Sequence, residues 1–198
     1  PVQFSLLTPT AHATHPDWDG VLATLREHGA TCDLVRVDRR DLPQHVAPHL
    51  SQTAYYRLLL PELLPDFARA IYLDCDVLVG CDLSPLWHLD LGGMPIGCVE
   101  DPRFEHWTRL GLQPDDGYFN SGVMLIDLEY LRREALFTEA LHFASRRPEA
   151  LTWSDQCALN RILVRQWHTL DRGWNFQHAH FIDVLRARGR RAAIQVAS

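Results

Sequence analysis

Apolar and polar positions along this chain switch repeatedly between a strand period and a helix period. Residues 2–7 predict a strand, and Trp18, Val21, Leu22 and Leu25 then recur at helical spacing as far as Gly29. Asp17 stands where a helix cap is expected, and residues 32–37 predict a second strand. A polar loop with two prolines fills residues 38–50, and residues 53–60 read as a helix carrying Arg57. Residues 69–79 read as a buried strand, because aliphatic and β-branched side chains fill them without polar alternation. Residues 82–87 predict a short turn or helix, 95–99 a strand, and the polar stretch 101–117 a mobile loop. A strongly apolar strand over 118–128 leads into a helix over 129–147 that buries Leu136, Phe137, Ala140, Leu141 and Ala144. Ser154 is expected to cap a further helix with Asp155 and Gln156 in its first turn and Leu159, Ile162 and Leu163 on its apolar face. From Trp167 the chain is aromatic, then basic. The alternation predicts an α/β layer architecture. Without internal repeats or a linker, residues 1–198 are expected to form a single domain.

The strand over 69–79 carries two carboxylates, Asp74 and Asp76. At i and i+2 on a strand they share one face. Two dry carboxylates side by side repel, and one is forced neutral unless a cation intervenes. Oxygen ligands suit Mn²⁺ or Mg²⁺, and open α/β sheets gather their ligands at strand ends. Taken alone, the pattern also fits a strand end whose aspartates turn into solvent.

Composition narrows the classes. The chain has a net charge of −6, 46% hydrophobic and 22% charged residues, and no lysine, so every basic side chain apart from histidine is arginine. That balance argues against nucleic acid as a partner, while arginine still suits a phosphate held in a pocket. Cys32, Cys75, Cys81, Cys98 and Cys157 form no Cys-x-x-Cys pair, so reduced thiols are expected rather than structural zinc. No apolar run is long enough to span a bilayer, and no signal peptide opens the chain. A strand pattern already at residues 2–7 and an unfinished pattern over 192–198 lead us to expect a fragment truncated at both ends.

Several motifs occur in a telling order. Tyr55-Tyr56-Arg57-Leu58 precedes Ile71-Tyr72-Leu73-Asp74-Cys75-Asp76-Val77-Leu78-Val79 and then Leu86-Trp87. Tyr118-Phe119-Asn120-Ser121-Gly122-Val123-Met124-Leu125-Ile126 comes next, then Asp155-Gln156-x-x-Leu159-Asn160 and Trp174-Asn175-Phe176. Over nearly its whole length the chain resembles glycosyltransferase family 8, the retaining transferases that include lipopolysaccharide galactosyl- and glucosyltransferases and glycogenin. The resemblance implies an α/β GT-A fold, Rossmann-like, with a mixed sheet flanked by helices. It implies a metal-dependent transfer of a hexose, galactose or glucose, from a UDP-sugar to a saccharide acceptor such as lipopolysaccharide core. It further implies a cytoplasmic location, with peripheral attachment at the inner membrane face through segments outside this chain.

By position, the resemblance makes Asp74 and Asp76 ligands of Mn²⁺ (or Mg²⁺) and puts Cys75 near the donor ribose. Arg57 would lie close to the donor, and the metal and Arg57 together would stabilise the departing diphosphate. Asn120 and Ser121 would meet the transferred sugar, Asp155 would bind its hydroxyls, and Gln156 would lie near the β face of the anomeric carbon. These make Gln156, Asp155 and Arg57 the candidate catalytic residues. Many members carry an aspartate where this chain has Cys157. The family's histidine metal ligand lies in a segment expected beyond Ser198, and its nucleobase-binding strand before Pro1; His178 and His180 read as surface or packing residues. Two other classes stay open. A sugar- or nucleotide-binding scaffold could keep the fold without turnover, and a phosphohydrolase could use an Asp-x-Asp nucleophile. The latter normally recruits a lysine, which this chain lacks.

Overall fold

The computed structural model describes residues 2–38, 42–44, 46–47, 51–178 and 180–183. Strand β1 (Gln3–Pro9), helix α1 (Asp17–Glu27) and strand β2 (Thr31–Val37) open the chain. A 3-10 segment (Gln52–Leu59) runs into α2 (Leu60–Leu63), followed by β3 (Arg69–Leu73), α3 (Ser84–Trp87), β4 (Ile96–Glu100) and α4 (Trp107–Leu110). Then come β5 (Phe119–Asp127), α5 (Leu128–Glu134), α6 (Leu136–Arg146), α7 (Ser154–Ile162) and the short β6 (His168–Thr169). The basic tail after residue 183 lies outside the described residues.

The strands form two sheets. β1 and β2 pair in parallel, with α1 as the crossover that parallel pairing requires. The larger sheet runs β3-β5-β4-β6, with β5 antiparallel to both neighbours and β4 parallel to β6. β5 is an interior strand, between β3 and β4, and is buried on both faces. Met124 and Ile126 enter the main core with Tyr55, Leu58, Phe137 and Leu159, while Val123 and Leu125 meet Leu86, Leu91 and Leu170 on the other face.

The larger sheet carries one irregularity. β4 and β5 are in register from Ile96↔Ile126 to Cys98↔Met124, and then the pairing jumps to Val99↔Asn120. Ser121 and Gly122 therefore have no ladder partner on β4. Their buried N–H groups need other acceptors, and side chains provide them: Gln156 Oε1 at 3.0 Å for Ser121 and Asn120 Oδ1 at 2.9 Å for Gly122. As bulges often do, this one sits where functional side chains collect.

Several expectations need correction. The strand over 69–79 ends at Leu73: Val77 N donates to Asp74 O at 3.2 Å, starting a turn, and Leu78 is 94% exposed. The segment over 53–60, expected as a helix, is mostly 3-10. The run over 129–147 breaks at Ala135, whose φ of 53° is left-handed, so that α5 packs on α2 while α6 packs on α7. One amphipathic periodicity thus serves two directions. The stretch 101–117 contains α4 and a 3-10 turn, and Phe104 stacks on Tyr118 with ring centroids 3.6 Å apart. Asp17 is the first residue of α1 rather than its cap. Ser154 likewise lies inside α7, and its Oγ accepts from Ala47 N at 2.8 Å.

Candidate active site

Four elements converge at the bulge in β5: the 3-10 segment bearing Arg57, the end of β3, β5 itself and the start of α7. Arg57 is buried at 7% exposure and connects them. Its Nη1 donates to Ser121 O at 2.7 Å and to Ser121 Oγ at 2.9 Å, and its Nη2 donates to Asp74 Oδ1 at 2.8 Å. Nε donates to Ala54 O at 3.2 Å and lies 3.0 Å from Asp155 Oδ2. Because the Nε hydrogen points at Ala54, Asp155 Oδ2 has the opposite charge beside it but no hydrogen bond. The guanidinium also lies over the Tyr72 ring, 4.6 Å from its centroid. A cation this deep needs its charge compensated. Burial alone pulls the Arg57 pKa down, but the Asp155, Tyr72 and Asp74 groups outweigh it and raise the pKa.

Asp155 sits at the start of α7 and is 2% exposed. Burial pushes its carboxyl up to about 6, against the opposing pull of Arg57. Gln156 follows it, its Oε1 held by Ser121 N. Asn160, one turn later on the same face, receives Phe119 N at 2.7 Å and donates to Phe119 O and Gln156 O at 2.9 Å each. α7 is thereby bolted to β5. Cys157 is fully buried, 3.2 Å from the Tyr118 hydroxyl and 3.2 Å from Trp153 N, which donates to its sulfur. It therefore fills core space and accepts a hydrogen bond where the resemblance implies a carboxylate.

Asp74 and Asp76 fall in the turn after β3. Asp74 is half-buried, and its Oδ1 accepts from both Arg57 Nη2 and the Tyr72 hydroxyl, at 2.8 Å each. Its N donates to Gly122 O at 2.8 Å, which locks the turn to β5. Cys75 and Asp76 are exposed. Asp74 Oδ2 faces Gly122, where there is no Cβ to fill the space. Among the described residues no group of three His, Cys, Asp or Glu side chains converges. Two carboxylates with open oxygens do, however, fit a hard cation of the Mg²⁺ or Mn²⁺ kind, which takes one or two protein carboxylates and completes its shell with substrate phosphate and water.

The structure thus draws together Arg57, Asp74, Ser121, Asp155 and Gln156, with Asn120 alongside and Cys75 and Asp76 at the open rim. Sequence reasoning missed Tyr72, Asn160 and Asn175. Asn175 Nδ2 donates to Asn120 Oδ1 at 2.8 Å and so fixes which end of the Asn120 amide faces outward. Asn160 closes the motif that Asp155 opens, and Asn175 stands between Trp174 and Phe176, so both were in view. A hydrogen bond between residues 55 positions apart nevertheless has no local signature. His178 is exposed, whereas His180 is buried and accepts from Gln177 N at 3.2 Å. All five cysteines are free thiols. No helix among the described residues is long and apolar enough to cross a membrane.

A mixed sheet with helices on its faces and a polar cluster at the strand ends is the arrangement of nucleotide-sugar transferases of GT-A fold, and comparison with known proteins agrees. Residues 30–191 match the sequence profile of Glycosyl transferase family 8, and the chain belongs to that family. General stress protein A of Bacillus subtilis (strain 168) is 36% identical over 160 residues, which cover 78% of this chain and 56% of that protein. Glycosyltransferase GlyF of Streptococcus pneumoniae serotype 4 is 26% identical over 163 residues, 81% of this chain and 39% of that protein. The chain thus spans roughly half the length, or less, of these relatives. Among solved structures, the galactosyltransferase LgtC in complex with donor and acceptor sugar analogs superposes with a TM-score of 0.81 at 24% identity, covering 92% of this chain and 78% of that one. The GT-A fold expected from the resemblance is therefore the fold observed.

Proposed function

We propose that this chain transfers a hexose from a UDP-hexose to a saccharide acceptor, retaining the configuration at the anomeric carbon, with a divalent cation at Asp74 and Asp76. The observation that carries the reading is the cluster around Arg57, in which one buried guanidinium binds Asp74 at the end of β3, Ser121 on β5 and Asp155 on α7. Sugar–phosphate cleavage expels a nucleoside diphosphate, and a Mn²⁺ or Mg²⁺ ion bound there supplies positive charge to that leaving group. The resemblance implies that Arg57 stabilises the departing diphosphate directly, but most of its donors go to Asp74, Ser121 and Ala54, so it works instead by fixing Asp74 and Asp155 in place. Asn120 and Asp155 orient the hexose hydroxyls, with Ser121 beside them and Cys75 toward the ribose. Gln156, its Oε1 held by Ser121, turns its amide hydrogens toward the transferred sugar.

The acceptor hydroxyl attacks the anomeric carbon from the face the diphosphate leaves. The bond from carbon to acceptor oxygen forms as the bond to phosphate oxygen breaks, and the acceptor proton passes to the departing phosphate. This route is favoured over a glycosyl-enzyme because Asp155 is engaged by Arg57 and the Gln156 amide is a weak nucleophile. A saccharide such as lipopolysaccharide core is the acceptor class the family implies, and the free thiols fit a cytoplasmic site of action.

The test is UDP release from UDP-galactose and UDP-glucose with Mn²⁺, with and without oligosaccharide acceptors, coupled to NMR of the product linkage. We expect acceptor-stimulated release and an α-linked product. A β-linked product would overturn retention, and UDP-sugar binding without any release would leave a binding scaffold. Intact-protein mass spectrometry during turnover should show no glycosyl adduct; an adduct would replace same-face attack with double displacement.

A further inference from the structure

Gly122 lies within β5 and, unlike Gly111 and Gly117, does not occupy the left-handed region. Its backbone conformation is open to any residue, so what requires glycine here is space. A Cβ at this position would lie 3.0 Å from Asp74 Oδ2 and 3.0 Å from Asn120 Oδ1, tighter than ordinary contact. Neither neighbour is free to yield. Asp74 is held through Oδ1 by Arg57 and Tyr72, and Asn120 Oδ1 is held by Gly122 N at 2.9 Å and Asn175 Nδ2 at 2.8 Å. The same hydrogen bonds commit Oδ1 of Asp74 to protein donors, which leaves Oδ2, beside the missing Cβ, as the oxygen with lone pairs to offer.

We propose that Gly122 is a positioning residue of the cation site: its lack of a side chain keeps Asp74 Oδ2 in place and open, as a one-oxygen ligand. The inference rests on the reading of Asp74 and Asp76 as cation ligands. A one-oxygen carboxylate suits Mn²⁺ or Mg²⁺, which keep close to octahedral geometry, better than Ca²⁺, which takes more oxygens and often both from one carboxylate. Gly122 acts on the ion only through Asp74, and altering such outer partners typically weakens metal binding by about 10–100-fold.

The experiment is a Mn²⁺ titration of the full chain with UDP present, read by the electron paramagnetic resonance signal of free Mn²⁺. Gly122→Ala should bind Mn²⁺ at least about tenfold more weakly than the wild type. Because the new methyl group also presses on Asn120, Asn120→Ala and the double variant Asn120→Ala/Gly122→Ala are measured with it, each with its circular dichroism and urea midpoint. Asn120→Ala should keep Mn²⁺ affinity within about threefold, and the double variant should lose about tenfold or more. Wild-type affinity in a folded Gly122→Ala or in the folded double variant overturns the inference while leaving the cation site standing. If neither Gly122 variant folds, the glycine serves packing and the proposal falls. If the wild type itself takes up no Mn²⁺ with UDP present, the cation reading fails and the inference with it.

Discussion

The β1–α1–β2 unit and the β3-β5-β4-β6 sheet are built from equally clear sequence periodicities, yet they are packed very differently. Helix α1 buries none of its residues outright, and Val2 and Val21 are 61% and 42% exposed. In the larger sheet Phe119, Met124, Leu125 and Ile126 are fully buried, as are Tyr55 and Phe137 packed against it. Every residue of the candidate site belongs to this second region or to the elements packed on it. Hydrogen bonds of 2.7–3.0 Å among Arg57, Asp74, Ser121 and Gln156 can be kept only where the surrounding side chains are locked. Periodicity announces an element, and burial decides whether it can hold a site.

The contrast can be tested by substitution. The largest effect is expected at Arg57. Arg57→Ala leaves Asp155 buried without its counter-charge, which costs about 3–5 kcal/mol of stability for a broken buried pair. Urea unfolding measures it, and a loss below about 1 kcal/mol would mean the cluster does not anchor the sheet.

Asp155 gives the next effect, through pH. Its carboxyl is raised to about 6 in the folded chain against an ordinary 3.8, so between those values the folded state holds more protons than the unfolded one. The stability this proton confers is complete below the unfolded value and is lost as pH rises through about 6. The wild type should therefore lose up to about 3 kcal/mol from this group between pH 4 and pH 7, while Asp155→Asn should show a flatter profile over the same window. Parallel profiles would place the titration elsewhere.

Asn175→Ala should cost about 0.5–1.5 kcal/mol for its one hydrogen bond. It should also raise the KM for the donor more than it lowers kcat, because Asn120 loses its fixed orientation. An unchanged KM would remove Asn175 from the site. At the small end, Val21→Ser on α1 should change the urea midpoint by no more than about 0.5 kcal/mol equivalent. A loss of about 2 kcal/mol there would erase the contrast between the two regions.

What can be read in the sequence divides along physical lines. β5 is legible because its run of consecutive apolar residues suits a strand covered on both faces. The order of motifs points to Arg57, Asp74, Asp155 and Gln156. Three things are not legible. The 69–79 run looks continuous by hydropathy, but hydropathy does not register that Asp74 N turns to Gly122 O, and Leu78 and Val79 end in solvent. The break at Ala135 leaves helical periodicity intact on both sides, and an alanine carries no signal for a left-handed turn. The bulge opposite Cys98 depends on pairing between distant strands, so the reason Ser121 and Gly122 need side-chain acceptors is hidden too.

The most direct test of the central claim is calorimetric titration of UDP into the full chain, with and without Mn²⁺, beside Asp76→Asn. UDP binding should depend on Mn²⁺ and should be lost in Asp76→Asn, whose exposed side chain leaves the fold unaffected. UDP binding that ignores both the metal and the substitution, or no UDP binding at all, would contradict a donor site built on Asp74 and Asp76.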